Sequence, residues 1–302
     1  MPETGQNRKL IEWPTLALMV LCYASLAIGT VFLPLLWLPA SIVLTTLAIA
    51  LFSSLQHEVL HGHPFRLKQA NEALVFPSLT LFVPYIRFRD QHLEHHNDSR
   101  LTDPYDDPES NYMDPAVWGV LSRPARVVLR FNNTLLGRLV VGPIVSIYAF
   151  TRNDWRAIRA GDRSVLKGWL WHIPSLVIVA LWLVYVATMP IWAYVASAYM
   201  GFSILKIRTF LEHRAHERAS GRTVLVDDKG ILSFLFLNNN LHVVHHMHPR
   251  AAWYELPALF AGNRKHYLKR NDSYYYRSYA QIFRKYFFRA KDPVPHPLWR
   301  DH

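Results

Sequence analysis

Nine histidines in this chain fall at spacings suited to metal binding. His57 and His61 stand four residues apart, so on a helix their imidazoles share one face. His92, His95 and His96 spell HLEHH, and His242, His245 and His246 spell HVVHH. Positions i, i+3 and i+4 converge on one side of a helix, so each motif would present three imidazoles together. His213 stands in the sequence RTFLEHR, upstream of the last of these clusters. The chain has 16 His among 302 residues but only one cysteine, Cys22, which excludes a disulfide framework and any cysteine-ligated zinc or iron–sulfur site.

Imidazole suits Zn, Cu, Fe and Ni, and one ion takes about four to six ligands. Eight or nine donors are more than one ion can use and about right for two. Magnesium and calcium prefer oxygen. Zinc needs only about four ligands and would leave half the set without a role. Two irons with positions left open for O2 fit the count. The all-nitrogen set would differ from the carboxylate-bridged di-iron sites of soluble helix bundles. His57 to His61 also spells HExxH, in which Glu58 would be the general base of a zinc protease. That reading leaves two HxxHH clusters idle. A divalent-metal transporter would need ligands near the bilayer midplane, and His172 is alone in its apolar segment.

The elements that position these residues are set by where charge is missing. No Asp, Glu, Lys or Arg occurs from Thr15 to Leu55, nor from Trp169 to Leu205. As one helix the first run would reach about 60 Å, twice a hydrocarbon core of ~30 Å. Each run is therefore read as two crossings, broken at Pro34 and Pro39 in the first and at Met189-Pro190 in the second. Helices are predicted at about 15–35, 38–56, 169–188 and 190–207, forming two hairpins. Arg8 and Lys9 precede the first apolar stretch as they would in a signal peptide, but that stretch outruns an h-region and reads as an uncleaved helix.

Both hairpin turns lack Lys and Arg, which places the chain ends and the histidine boxes on the cytoplasmic side. The net charge of +11 then faces an anionic leaflet. It flanks apolar segments and forms no single nucleic-acid patch, so nucleic acid is not an expected partner. The rest, 57–168 and 208–302, forms a cytoplasmic cap. Within it 73–86 and 135–150 are apolar but short or broken by proline, suiting interfacial or packed helices. The aromatic and basic stretch from Asn263 to Lys291 reads as a membrane-surface helix. No repeat or second domain is visible, so 1–302 reads as one domain.

HEVLHGH at 57–63, HLEHH at 92–96 and HVVHH at 242–246 resemble the three histidine boxes of the membrane fatty acid desaturase superfamily, and the order of hairpins and boxes matches over nearly the whole chain. The resemblance implies an all-α integral membrane protein with four transmembrane helices in two hairpins and a helical cap carrying the boxes. It implies a non-haem di-iron oxidoreductase that uses O2 and two electrons to introduce a double bond into a fatty acyl chain. The implied ligands are His57, His61, His92, His95, His96, His242, His245 and His246, with His213 the best match for a ninth and His216 its competitor. Asn238, Asn239 or Asn240 would stand where some relatives place an asparagine near the metal. Glu58 and Glu94, inside the boxes, are candidates to orient an imidazole through its free N–H. No acid or base beyond the metal pair is expected to take part in catalysis.

Hydroxylases, ketolases and relatives that act on small amino-acid-derived substrates share the same boxes. The two outcomes differ in geometry that residue types do not report. No flavin- or haem-binding segment is present, so the electrons would come from a separate ferredoxin, rubredoxin or cytochrome with its reductase. His63 and His248 sit beside boxes without the right spacing, and LTDPYDDPES, from Leu101 to Ser110, reads as a loop closing the second box.

Overall fold

Proline and unbroken apolar sequence begin the first long helix. In the computed structural model, which describes residues 10–96 and 99–299, α1 (Trp13–Ala27) starts with Pro14 in its first turn, where the missing N–H is no loss. It continues through a π-helical turn at Ile28–Phe32 and a 3-10 turn at Leu33–Leu35, where Pro34 ends the ladder. α2 (Leu38–Leu60) restarts at Pro39 and runs back along α1. Downstream lie α3 (Tyr85–His95), α4 (Arg123–Asn132), α5 (Gly142–Arg159), α6 (Arg163–Tyr185), α7 (Ile191–Thr209), α8 (His242–Met247) and α9 (Tyr279–Tyr286), with short helices between them. Leu225–Val226 and Tyr275–Tyr276 pair as a two-stranded parallel sheet. Arg8, Lys9 and His302 lie outside the described residues.

Among the described residues three segments are long and apolar enough to cross a membrane: Trp13–Leu35, Leu38–Leu60 and Arg163–Tyr185. The fourth predicted crossing, 190–207, is the helix α7 but is not one of these three. The second hairpin also differs from expectation in its packing. α6 rests on α3 and α5, while α7 makes its most extensive contact with α2. The reason is the face α7 presents: Ala193, Ser197, Ala198 and Gly201 are buried. A Cβ at Gly201 would meet Ile49 at 2.9 Å, so only glycine lets the two backbones approach this closely. α6 instead leaves Leu170, Ile173, Val177, Leu181 and Val184 exposed, an apolar flank with no protein cover.

The segments at 73–86 and 135–150 form no crossing. The second supplies a short helix, Leu135–Val140, and the start of α5, whose Ile144, Tyr148 and Trp155 point outward. The tail corrects the sequence reading more sharply. Tyr274, Tyr276, Tyr279, Ile282 and Tyr286 are buried in the main core and do not lie on a surface helix. The parallel pairing of Tyr275–Tyr276 with Leu225–Val226 draws the segment inward. Tyr274 Oη then donates to the Leu211 carbonyl at 2.8 Å, and the Tyr276 and Tyr286 hydroxyls meet at 2.8 Å. Arg284 and Lys285 remain on the outer side of α9.

Candidate metal centre

Four elements carry the nine histidines to one place. His57 lies in the last turns of α2, and His61 caps that helix just before Gly62, whose φ of 98° turns the chain away. His92 and His95 lie on α3, with His96 at its C-terminal cap. The other face of α3 is fixed by Arg87, which donates from Nε and Nη2 to the two oxygens of buried Asp154 on α5, both at 2.9 Å. Trp169 Nε1 on α6 donates to the same carboxylate at 2.9 Å, so one buried acid ties α3 to two further helices. α8 begins at His242 and is held by a second apolar cluster of Val243, Val244, Leu256, Phe260 and Tyr267. His213 follows α7 in extended chain bridged to Thr223.

These residues divide into two adjoining groups. His57, His61, His92, His96 and His245 form one, and His95, His213, His242 and His246 the other. Within each group one ring nitrogen per residue lies within 4.8 Å of the others. Two nitrogens bound to one ion at ~2.1 Å lie at most about 4.2 Å apart, so each set is close to a coordination shell. His96 Nε2 stands 3.0 Å from His92 Nε2 and 3.2 Å from His245 Nε2. His213 Nε2 stands 2.9 Å from His95 Nε2 and 3.1 Å from His242 Nε2. His57 Nε2 and His61 Nε2 are buried with no hydrogen-bond partner among the described residues. Convergent, buried nitrogens of this kind are costly unless a cation or proton sits among them, so the donor set fits a pair of metal ions.

The outward nitrogens are held by oxygen. His92 Nδ1 donates to Glu109 at 2.9 Å, His95 Nδ1 to Asp107 at 2.7 Å and His242 Nδ1 to the Asn239 side-chain oxygen at 3.0 Å. These bonds fix the tautomer with Nε2 inward and its lone pair available. Asp107 also accepts from the Thr102 and Glu109 backbone N–H groups, so the 101–110 loop folds around it. Burial, then the neighbouring imidazoles, hold His96, His213, His242 and His245 well below the ordinary histidine range, which keeps them neutral. His95 departs from this. Burial opposes its cation, but Glu109 and Asp107 outweigh burial and raise it to about 9. Glu109, partly exposed, is depressed: partial desolvation opposes its anion, but His92 and His95 favour it and prevail.

Of the five residues expected to stand near or support the clustered histidines, one bonds an imidazole of either group. Asn239 bonds His242, but Glu58 accepts from the Trp253 backbone N–H at 3.2 Å and touches no imidazole of either group. Glu94 is 56% exposed beside Arg100, because it faces the side of α3 away from the cluster. Asn238, at a φ of 56°, donates to the Trp253 carbonyl, and Asn240 to that of Val226. His216 pairs with Asp272 at 3.1 Å, so His213 and not His216 joins the cluster. His63 is buried against Glu12, and His248 meets the Tyr267 hydroxyl. Sequence reasoning missed Asp107, Glu109 and Glu212. Glu212 lies 3.9 Å from His242 Nδ1 and pairs with Arg208 at 3.0 Å. The available signal was a run of acids just after the second box and an acid beside His213.

Fold and site together define a helical protein with membrane-length apolar segments and two histidine-lined groups that could hold metal ions. The family model for fatty acid desaturases matches residues 10–279, most of the chain and all nine histidines, and the chain belongs to that family. The family implies an oxidoreductase of the desaturase or hydroxylase type. No curated protein matches the chain.

Proposed function

We propose that the chain is an O2-dependent oxidoreductase that binds two iron ions, one in each histidine group, and introduces a double bond into a fatty acyl chain. The observation that carries this reading is the division of nine histidines into adjoining sets of five and four. One zinc ion could use only one of those sets. His57, His61, His92, His96 and His245 would hold one iron, and His95, His213, His242 and His246 the other. Bound iron would supply the reductive activation of O2 needed to take hydrogen from an unactivated methylene. Asp107, Glu109 and Asn239 keep the imidazoles oriented, with Nε2 turned inward. The zinc protease reading loses its general base, since Glu58 faces the Trp253 backbone.

In this reading the three apolar segments, and α7 as a fourth, sit in the bilayer with the histidines at their cytoplasmic end. The exposed apolar residues of α4 and α5 lie in the interface. Two electrons per turnover come from a separate carrier. The test is metal analysis of the purified protein with lipid profiling of cells carrying or lacking the gene in air. About two Fe per chain and a new double bond are expected. One Zn, or no oxygen-dependent product, would sink the proposal, and a new hydroxyl would move the protein to the hydroxylase branch.

A further inference from the structure

Three polar side chains near the metal centre are buried and poorly partnered. Arg138, on the short helix Leu135–Val140, is 4% exposed. Its guanidinium can donate five hydrogen bonds, yet it makes one, from Nη1 to the Asn111 side-chain oxygen at 2.7 Å, and Nε has no partner among the described residues. Burial lowers its pKa to about 10 with no carboxylate opposing. Lys206 on α7, 9% exposed, makes no hydrogen bond or ion pair among the described residues and has only the Phe202 ring, 4.6 Å away. Asn132 is 8% exposed, and its side-chain oxygen is unpartnered.

The three converge. A Cβ at Gly142 would meet Arg138 Cδ at 3.1 Å, Asn132 Oδ1 at 3.3 Å and Lys206 Cγ at 3.5 Å, so all three stems surround that glycine. Two buried like charges side by side are costly unless an anion joins them. The nearby acids are already engaged, Glu109 by His92 and Glu212 by Arg208. The cluster also borders the metal centre. Lys206 is within Coulombic reach of Glu109 and Glu212, and Lys291, within reach of Arg138, donates to the His213 carbonyl.

We propose that Arg138 and Lys206 bind the carboxylate of the substrate, so that the enzyme takes an alkyl chain as its free acid and not as a bulky thioester. This rests on the lipid-oxidase reading and names the head group that reading leaves open. The guanidinium fork matches a carboxylate in two parallel bonds, and Lys206 adds a second charge. Asn132 joins through its amide N–H when the group is turned over. A coenzyme A or carrier-protein head has no room at side chains so deeply buried.

Binding of palmitate, its neutral amide and palmitoyl coenzyme A to the full-length protein in nonionic detergent at pH 8 tests this. Palmitate is expected to bind at least about tenfold more tightly than either of the others, a difference of about 1.4 kcal/mol. R138Q and K206M should each abolish that preference, weakening palmitate binding far more than amide binding. K206M should also raise the Tm of the ligand-free protein, because an unpaired buried cation is replaced by an apolar chain of similar volume. A purely structural lysine would lower it. If R138Q does not fold, K206M decides. Equal binding of acid and amide, tighter binding of the thioester, no binding of either lipid, or a preference that survives K206M would each overturn the proposal. Failure of the oxidase reading is seen separately, in iron content and oxygen-dependent product.

Discussion

The two histidine groups are built from the same side chain but supported differently. In the five-residue group, four histidines stand on or cap the helices α2 and α3, and one carboxylate, Glu109, reaches an outward nitrogen. In the four-residue group, His213 comes from extended chain, and oxygen partners gather around His95 and His242. Asp107 is 2% exposed at its side chain, whereas Glu109 is 27% exposed. The outer bonds fall on helical histidines, His95 and His242, and not on the irregular one: His213 Nδ1 is buried with no hydrogen-bond partner among the described residues. The smaller group is therefore held by buried oxygen partners at two of its four members, the larger by one more exposed carboxylate.

That contrast can be broken most directly at a ligand. His95→Ala leaves the smaller group with three nitrogens, and His245→Ala leaves the larger with four. We expect His95→Ala to abolish turnover and bring iron to about one per chain or below, while His245→Ala also abolishes turnover but retains more metal. Metal analysis beside product formation reads this, and full activity in either variant would remove the assignment. The next effect strikes both groups alike, because α3 supplies His92 and His96 to one and His95 to the other. Asp154→Asn leaves Arg87 buried without its counter-charge, expected to cost about 3–5 kcal/mol as for other broken buried pairs. A fall in Tm with parallel loss from both metal sites is the expected result. Loss confined to one site would mean that α3 is not the shared support.

The boxes were legible because imidazoles that converge from one helix need a local spacing. Imidazoles on one helix must recur at three or four residues, and His57/His61, HLEHH and HVVHH do so. The apolar runs were legible for a similar reason, since lipid-length helices need long stretches without charge. Which helix packs on which was not. The pairing of α7 with α2 depends on Gly201 meeting Ile49, a contact between residues far apart in sequence. The tail was misread because Tyr274, Tyr276 and Tyr286 have the composition of an interfacial segment, and only pairing with Leu225–Val226 turns them inward. Asp107 and Glu109 were invisible as partners because a loop, unlike a helix, has no period that says where its side chains point.

The remaining predictions test the outer bonds themselves. Asp107→Asn removes the charge beside His95 and weakens the loop's hold on the Thr102 and Glu109 N–H groups. Metal affinity of the four-residue group should fall about 10–100-fold, the usual cost of losing such a partner. Glu109→Gln, at a more exposed carboxylate, should cost the five-residue group less. Equilibrium metal titration of each variant gives the ratio, and a larger loss from Glu109→Gln would reverse the contrast between the groups. Asn239→Ala is the mildest change. It removes one neutral acceptor from His242, worth about 0.5–1.5 kcal/mol, and Glu212 at 3.9 Å is placed to take the freed N–H after a small shift. A loss of no more than about tenfold in metal affinity is therefore expected, confined to the four-residue group. If Asn239→Ala instead matched Asp107→Asn, the charge on Asp107 would count for nothing beyond its geometry, and hydrogen-bond direction alone would explain how that group is held.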